Sequence, residues 1–155
     1  MSGKRRFHAS VVLDGKIYTM GGFGDGMAEL DTVEAYDPQA DSWQRVASMP
    51  QGNCHHAATT MGGKIYVTGG RSEGSTMNSV CVYDPQADAW TQLASMGTAR
   101  RAHASAAVGG KLYVFGGFGG GVRLRTVEIY GPASDSWAQG SSLTSAREYV
   151  VAVAL

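Results

Sequence analysis

The chain has 155 residues, with 13 basic and 13 acidic side chains and a formal net charge of zero. Charged residues make up 17% and hydrophobic residues 43%, which excludes charge-driven disorder, and the sequence pI near 6.9 argues against an electrostatic nucleic-acid binder. Glycine is in excess, 22 residues against four prolines, but without the three-residue period of collagen.

The chain repeats itself. Trp43, Trp90 and Trp137 are 47 residues apart, and so are Tyr36, Tyr83 and Tyr130. The pairs Gly21-Gly22, Gly69-Gly70 and Gly116-Gly117 step by 48 and then 47, as do Tyr18, Tyr66 and Tyr113 and His8, His56 and His103. The extra residue lies between Gly22 and Thr32, in a loop, where insertions are tolerated.

Each copy predicts four short strands. The first is small and apolar: His8 to Leu13, Ala57 to Met61 and His103 to Val108. A glycine turn follows at Asp14-Gly15, Gly62-Gly63 and Gly109-Gly110, the composition of a tight hairpin with positive φ. The second strand alternates (Ile17 to Met20, Ile65 to Thr68, Leu112 to Phe115) and ends at the paired glycines. A loop leads to the third strand, at Val33 to Tyr36, Val80 to Tyr83 and Val127 to Tyr130. Pro38, Pro85 and Pro132 then share one turn position, where a fixed φ and a missing donor do no harm. The fourth strand carries the Trp. Nothing has the 3.6-residue period of a helix. Four strands in about 45 residues is the sequence form of a propeller blade, with small inner strands at the axis and bulky outer ones in the wedge between blades.

These residues resemble the kelch repeat: a double glycine, then a Tyr, then a Trp, seen as Gly22, Tyr36 and Trp43, as Gly70, Tyr83 and Trp90, and as Gly117, Tyr130 and Trp137. The Arg-x-x-His opening of the repeat is present at Arg5 to His8 and Arg100 to His103, while the second copy has Asn53 in place of Arg. Arg147 to Leu155 repeats the first strand alone, as at the end of a BTB-kelch domain, where the last segment supplies the innermost strand of the first blade. The resemblance implies an all-β propeller segment. It has three four-stranded blades, half of a six-bladed ring, over residues 6–52, 53–99 and 100–146, plus one extra C-terminal strand at 147–155 that closes the ring or is swapped. Three blades do not close a ring. The ring is therefore expected to be completed by a second copy, giving a homodimer, or by a missing N-terminal half of a longer parent; a half-ring whose main property is self-assembly is a further alternative.

No nucleophile–base pair, G-x-S-x-G or phosphate-binding glycine motif is present, so no enzyme activity and no cofactor are expected. The recurring His8, His56 and His103 read as repeat packing rather than a metal site. Cys54 and Cys81 form no C-x-x-C pair and read as reduced thiols in a cytoplasmic protein. The apolar runs are too short for a signal or a membrane span, so no membrane partner is expected. The remaining candidate surface is the loop face, with Arg71, Arg100, Arg101, Arg123, Arg125, Arg147 and Asn53 beside Phe23, Phe118 and Tyr149. Arginine forks and aromatics suit an acidic peptide or protein ligand. By resemblance the role is substrate recognition for a cullin-type ubiquitin ligase, with actin or cytoskeletal binding as the second reading.

Overall fold

Each predicted hairpin forms where the glycines permit it. In the computed structural model, which describes residues 3–153, both central residues of all three first turns have positive φ: Asp14 and Gly15 (49° and 74°), Gly62 and Gly63 (58° and 71°), Gly109 and Gly110 (59° and 73°). Paired positive φ gives the turn the twist of the strands it joins.

Blade 1 consists of β1 (Ala9–Leu13), β2 (Lys16–Met20), β3 (Val33–Asp37) and β4 (Ser42–Val46), antiparallel in that order. Blade 2 has β5 (Ala57–Met61) and β6 (Lys64–Thr68), a two-residue ribbon β7 (Arg71–Ser72) and β8 (Ser75–Thr76), then β9 (Val80–Asp84) and β10 (Ala89–Leu93). Blade 3 repeats this with β11 (Ala104–Val108), β12 (Lys111–Phe115), the ribbon β13 (Phe118–Gly119) and β14 (Val122–Arg123), β15 (Val127–Gly131) and β16 (Ser136–Gly140). Blade 1 has no ribbon. Its one-residue-longer loop takes a 3₁₀ turn at Asp25–Met27 instead. The extra residue in the sequence is the cause.

The inner strands lie side by side, β1 on β5 and β5 on β11, and the Thr59 and Ser105 hydroxyls meet at 2.5 Å. The core lies between blades. Leu13, Tyr18, Met20, Ala35 and Met49 of blade 1 and its outgoing loop pack on Ile65, Val67 and Tyr83 of blade 2; Tyr66, Val82 and Met96 pack on Leu112, Val114 and Tyr130 of blade 3. No blade buries its faces alone, which is why repeats of this kind stack.

The seams are stitched by one device used twice. Asp88 accepts the Ala47 N–H (2.8 Å) while Trp90 Nε1 donates to the Ala47 carbonyl (2.9 Å). Asp135 and Trp137 grip Ala94 in the same way, at 3.0 and 2.8 Å. Within each blade the tyrosine orients that aspartate: Tyr36, Tyr83 and Tyr130 donate to Asp41, Asp88 and Asp135 at 2.6, 2.7 and 2.8 Å. The repeated Tyr and Trp stack with centroids 5.1 to 5.2 Å apart.

The fourth copy of the first strand behaves differently. Residues 147–153 take no strand conformation, and Ala154 and Leu155 lie outside the described residues. Ala152 and Val153 line a cavity of about 360 Å³ with residues of the inner strands β1, β5 and β11. A strand needs a ladder partner, and no fourth sheet stands beyond blade 3 among the described residues.

Candidate functional site

The loop face is built on a second repeated feature. Phe7, His55, Ala102 and Tyr149 occupy one repeat position, and all four have left-handed backbone (φ 56°, 55°, 51° and 54°). They form a chain of backbone hydrogen bonds from blade to blade: His55 N to Phe7 O (2.9 Å), Ala102 N to His55 O (2.8 Å) and Tyr149 N to Ala102 O (2.7 Å). Positive φ at non-glycine residues is uncommon, and the rows of hydrogen bonds hold it here.

This geometry turns the side chains toward one open cavity of about 240 Å³. His55 stacks on Phe7 (centroids 4.1 Å, 25°), and Tyr149 meets it edge-on at 6.0 Å. Phe7 and Tyr149 are 46% and 66% exposed, a large apolar surface to leave in water. Arginines flank the aromatics. Arg6 lies 5.8 Å from the Phe7 centroid and 5.9 Å from that of Phe23; Arg71 lies 5.6 Å from Phe23 and Arg101 4.9 Å from Phe118. Short backbone bridges, Arg6 to Phe23, Cys54 to Arg71 and Arg101 to Phe118, set those distances. Burial, then the charges of Arg101 and Arg71, hold the His55 pKa below the ordinary value, so it stays neutral among these cations.

The predicted binding residues divide in two. Arg71, Arg101, Phe23, Phe118 and Tyr149 gather around this face. Arg71 also pairs with Glu29 at 3.0 Å, and Arg101 donates to Thr76 at 3.3 Å. Arg123 is exposed and pairs with Glu148 at 3.0 Å, and Arg125 is exposed on the blade 3 loop.

Arg100 and Asn53 do not face a ligand. Arg100 is fully buried: its guanidinium donates to the Gly116 and Thr126 carbonyls (2.8 and 3.2 Å) and to Glu128 (2.7 Å). Asn53, 5% exposed, donates to the Gly69 carbonyl at 2.8 Å and accepts from the Arg71 N–H at 3.0 Å. Both residues stitch consecutive blades together, because the repeat places their backbone on one blade and their side chain in the next. Arg5 does the same for blade 1, with Glu34 at 2.8 Å. Arg147 keeps the backbone half of this pattern, bonding Gly117 and Leu124, but its guanidinium reaches only Ser145.

Of the three recurring histidines, His56 and His103 belong to the seams as well, whereas His8, on blade 1 with no preceding blade among the described residues, is exposed and not packed as the repeat predicts. His56 and His103 are buried, with Cε1 close under Gly21 and Gly69, where a Cβ would come within 2.6 and 2.8 Å. His103 bonds the Thr68 hydroxyl at 2.9 Å. Among the described residues, no group of three or more His, Cys, Asp or Glu is placed to hold a metal. No helix of the described residues is long and apolar enough to cross a membrane.

The sequence reading left Arg6, Phe7 and His55 out of the candidate binding residues. A signal was available. The seam position is Arg in three copies and Asn53 in the other, while the next two positions change more freely, as Arg, Cys, Arg, Glu and then Phe, His, Ala, Tyr. Variation at a fixed place in a repeat marks a side chain released from packing.

A kelch-repeats domain family, described as the KLHDC2/KLHL20/DRC7 kelch-repeats domain, matches residues 2–153. The chain belongs to the kelch-repeat family. Similar kelch-like proteins include human Kelch-like protein 33, 39% identical over 70 residues, which are 45% of this chain and 13% of that protein. Rat Kelch-like protein 36 is 37% identical over 87 residues, 53% of this chain and 14% of its own length. Human Kelch-like protein 6 is 42% identical over 67 residues, 43% of this chain and 11% of that protein. The matched part is thus a small fraction of each relative. Kelch blades here provide a scaffold with an exposed aromatic and basic face, the character of a protein-interaction domain.

Proposed function

We propose that this kelch segment is a non-catalytic recognition module of the cullin-ligase substrate-adaptor type. Its ligand is an acidic peptide, docked on the face of Arg6, Arg71 and Arg101, and its ring is completed by a second copy. One observation carries the ligand reading: three arginines from three blades lie over aromatic rings, Arg6 over Phe7 and Phe23, Arg71 over Phe23 and Arg101 over Phe118, beside the open cavity that Phe7, His55 and Tyr149 line. The aromatics offer apolar surface for side chains between the carboxylates, and the guanidinium forks offer bidentate contacts to the carboxylates. A neighbouring cavity of about 290 Å³, lined by Arg6, Phe23 and Met27, extends the basic side.

Fluorescence polarisation with a labelled Glu-rich peptide tests the reading. Arg101→Ala and Arg6→Ala should each weaken binding roughly tenfold, equivalent to about 1.4 kcal/mol. Rising salt should weaken it too. Arg125→Ala, away from the aromatics, should change little. Unchanged affinity in both Arg101→Ala and Arg6→Ala would dismiss the site.

A further inference from the structure

The two internal seams define what a blade edge needs, and the two outer edges of the chain hold the matching halves. At each seam one blade presents an isoleucine or leucine, a tyrosine, an aspartate and a tryptophan. In blade 2 these are Ile65, Tyr83, Asp88 and Trp90, and their repeat equivalents in blade 1 are Ile17, Tyr36, Asp41 and Trp43. Ile65 is 0% exposed, whereas Ile17 is 38% and Trp43 39% exposed. The receiving side of a seam is the backbone after the fourth strand, Ala47 or Ala94, with an apolar floor of Tyr18 and Met49 or Tyr66 and Met96. The blade 3 equivalents are Ser141, exposed, with Tyr113 and Leu143, half-buried. Tyr18, Met49, Tyr66 and Met96 are all buried.

The structure assigns the outer edge of blade 1 and the outer edge of blade 3 to each other, in two copies joined head to tail. Asp41 and Trp43 of one copy grip the Ser141 N–H and carbonyl of the other, and two such joints close the ring. This rests on the second-copy part of the function proposed above. The occupant follows from continuity: the same clamp already operates twice inside the chain, and each edge displays the half the other lacks.

Native mass spectrometry and light scattering of the 155-residue chain at micromolar concentration test this. The expected mass is twice the 16.3 kDa of one chain. Asp41→Ala with Trp43→Ala, and separately Ser141→Pro, should raise the dissociation constant at least tenfold, and circular dichroism should show each variant folded. Ser141→Pro removes an N–H that no bond inside the chain uses among the described residues, at the first position after β16. The Asp41→Cys, Ser141→Cys double variant should form an intermolecular disulfide that neither single variant forms. A monodisperse single chain, an open ladder of larger species, or a dimer indifferent to both edge variants overturns the proposal. Peptide binding, measured on the same samples with the Arg101→Ala variant as control, fails or holds independently of these masses.

Discussion

The two internal seams solve one problem with different chemistry. Where blade 2 hands over to blade 3, Arg100 and Glu128 are both buried, with side chains 0% and 2% exposed. The carboxylate is fully engaged, accepting from Arg100 and from the Gly97 and Thr98 N–H groups at 2.7 and 3.1 Å. Where blade 1 hands over to blade 2, the arginine position holds Asn53 and the glutamate position holds Cys81. Burial pushes the Cys81 thiol up to about 12, so both groups are neutral. The position equivalent to Gly97 is Pro50, which has no N–H to give a carboxylate. A cavity of about 30 Å³, lined in part by Pro50, Asn53 and Cys81, lies where the ion pair would pack. The chain changes both partners and the donor together. A buried charge is kept only where its partner and its hydrogen bonds are kept with it.

The largest effect expected from this contrast is the loss of one partner of the ionic seam. Arg100→Ala leaves Glu128 charged and buried, which should cost about 3–5 kcal/mol. Asn53→Ala removes neutral hydrogen bonds and should cost about 1–3 kcal/mol. Urea unfolding of both variants measures the difference, and equal losses would mean that the charge at the seam is not what distinguishes them.

The histidines sharpen the contrast through pH. Burial first, then His8 and His55, lower His56 from 6.5 to about 4; burial first, then Arg100, lowers His103 to about 3. The folded chain refuses protons that the unfolded chain accepts. The stability these groups contribute is therefore complete above pH 6.5 and is lost as pH falls through about 4 and then about 3. Each histidine should add up to about 1.4 kcal/mol per pH unit to that slope. Hydrogen bonds, with Lys64 leading at Asp84, hold Asp37, Asp84, Asp88 and Asp135 below 3.8, so their contribution is lost only at lower pH. Stability measured from pH 7 to 4 should flatten in His103→Gln. An unchanged slope in His103→Gln would remove this seam from the acid response.

A third test exchanges the seams. Cys81→Glu alone buries a carboxylate beside Asn53, and Asn53→Arg alone buries a cation beside a thiol. The double variant should recover about 0.5–3 kcal/mol relative to the sum of the two. Adding Pro50→Gly should recover more, because it supplies the missing N–H. A double variant no better than the sum would show that the two seams are not interchangeable.

The blades were legible in the sequence because every device that makes them is periodic. The positive-φ glycines, the Tyr and Trp of each blade and the proline turns all recur at fixed steps. The site was only half legible. Arg100 and Arg101 look alike in the sequence, yet one side chain is sealed in the next blade and the other lies over Phe118. That division depends on which side of the backbone faces the seam, and a repeat spacing does not contain it. Glu34 and Glu128 looked like ordinary third-strand residues, because their partners lie 29 and 28 positions away on another segment. The C-terminal segment carries the sequence of a strand, but strand formation needs a neighbouring ladder that the sequence of this segment does not supply.

The smallest effect separates an inner seam from an outer edge. Trp137→Phe keeps the ring stacked on Tyr130 and removes one hydrogen bond, from Nε1 to the Ala94 carbonyl. It should cost about 1 kcal/mol, lowering the melting temperature by roughly 2–4 °C for a chain of this size. Trp43→Phe makes the same chemical change at the outer edge of blade 1. In dilute samples where single chains dominate, it should leave the melting temperature unchanged, because among the described residues no carbonyl of a preceding blade meets Trp43 Nε1. As concentration rises and copies pair, its melting temperature should fall behind that of the unmodified chain by the margin Trp137→Phe shows throughout. A Trp43→Phe deficit independent of concentration would place the contribution of Trp43 inside its own blade, and the likeness between seam and edge would end there.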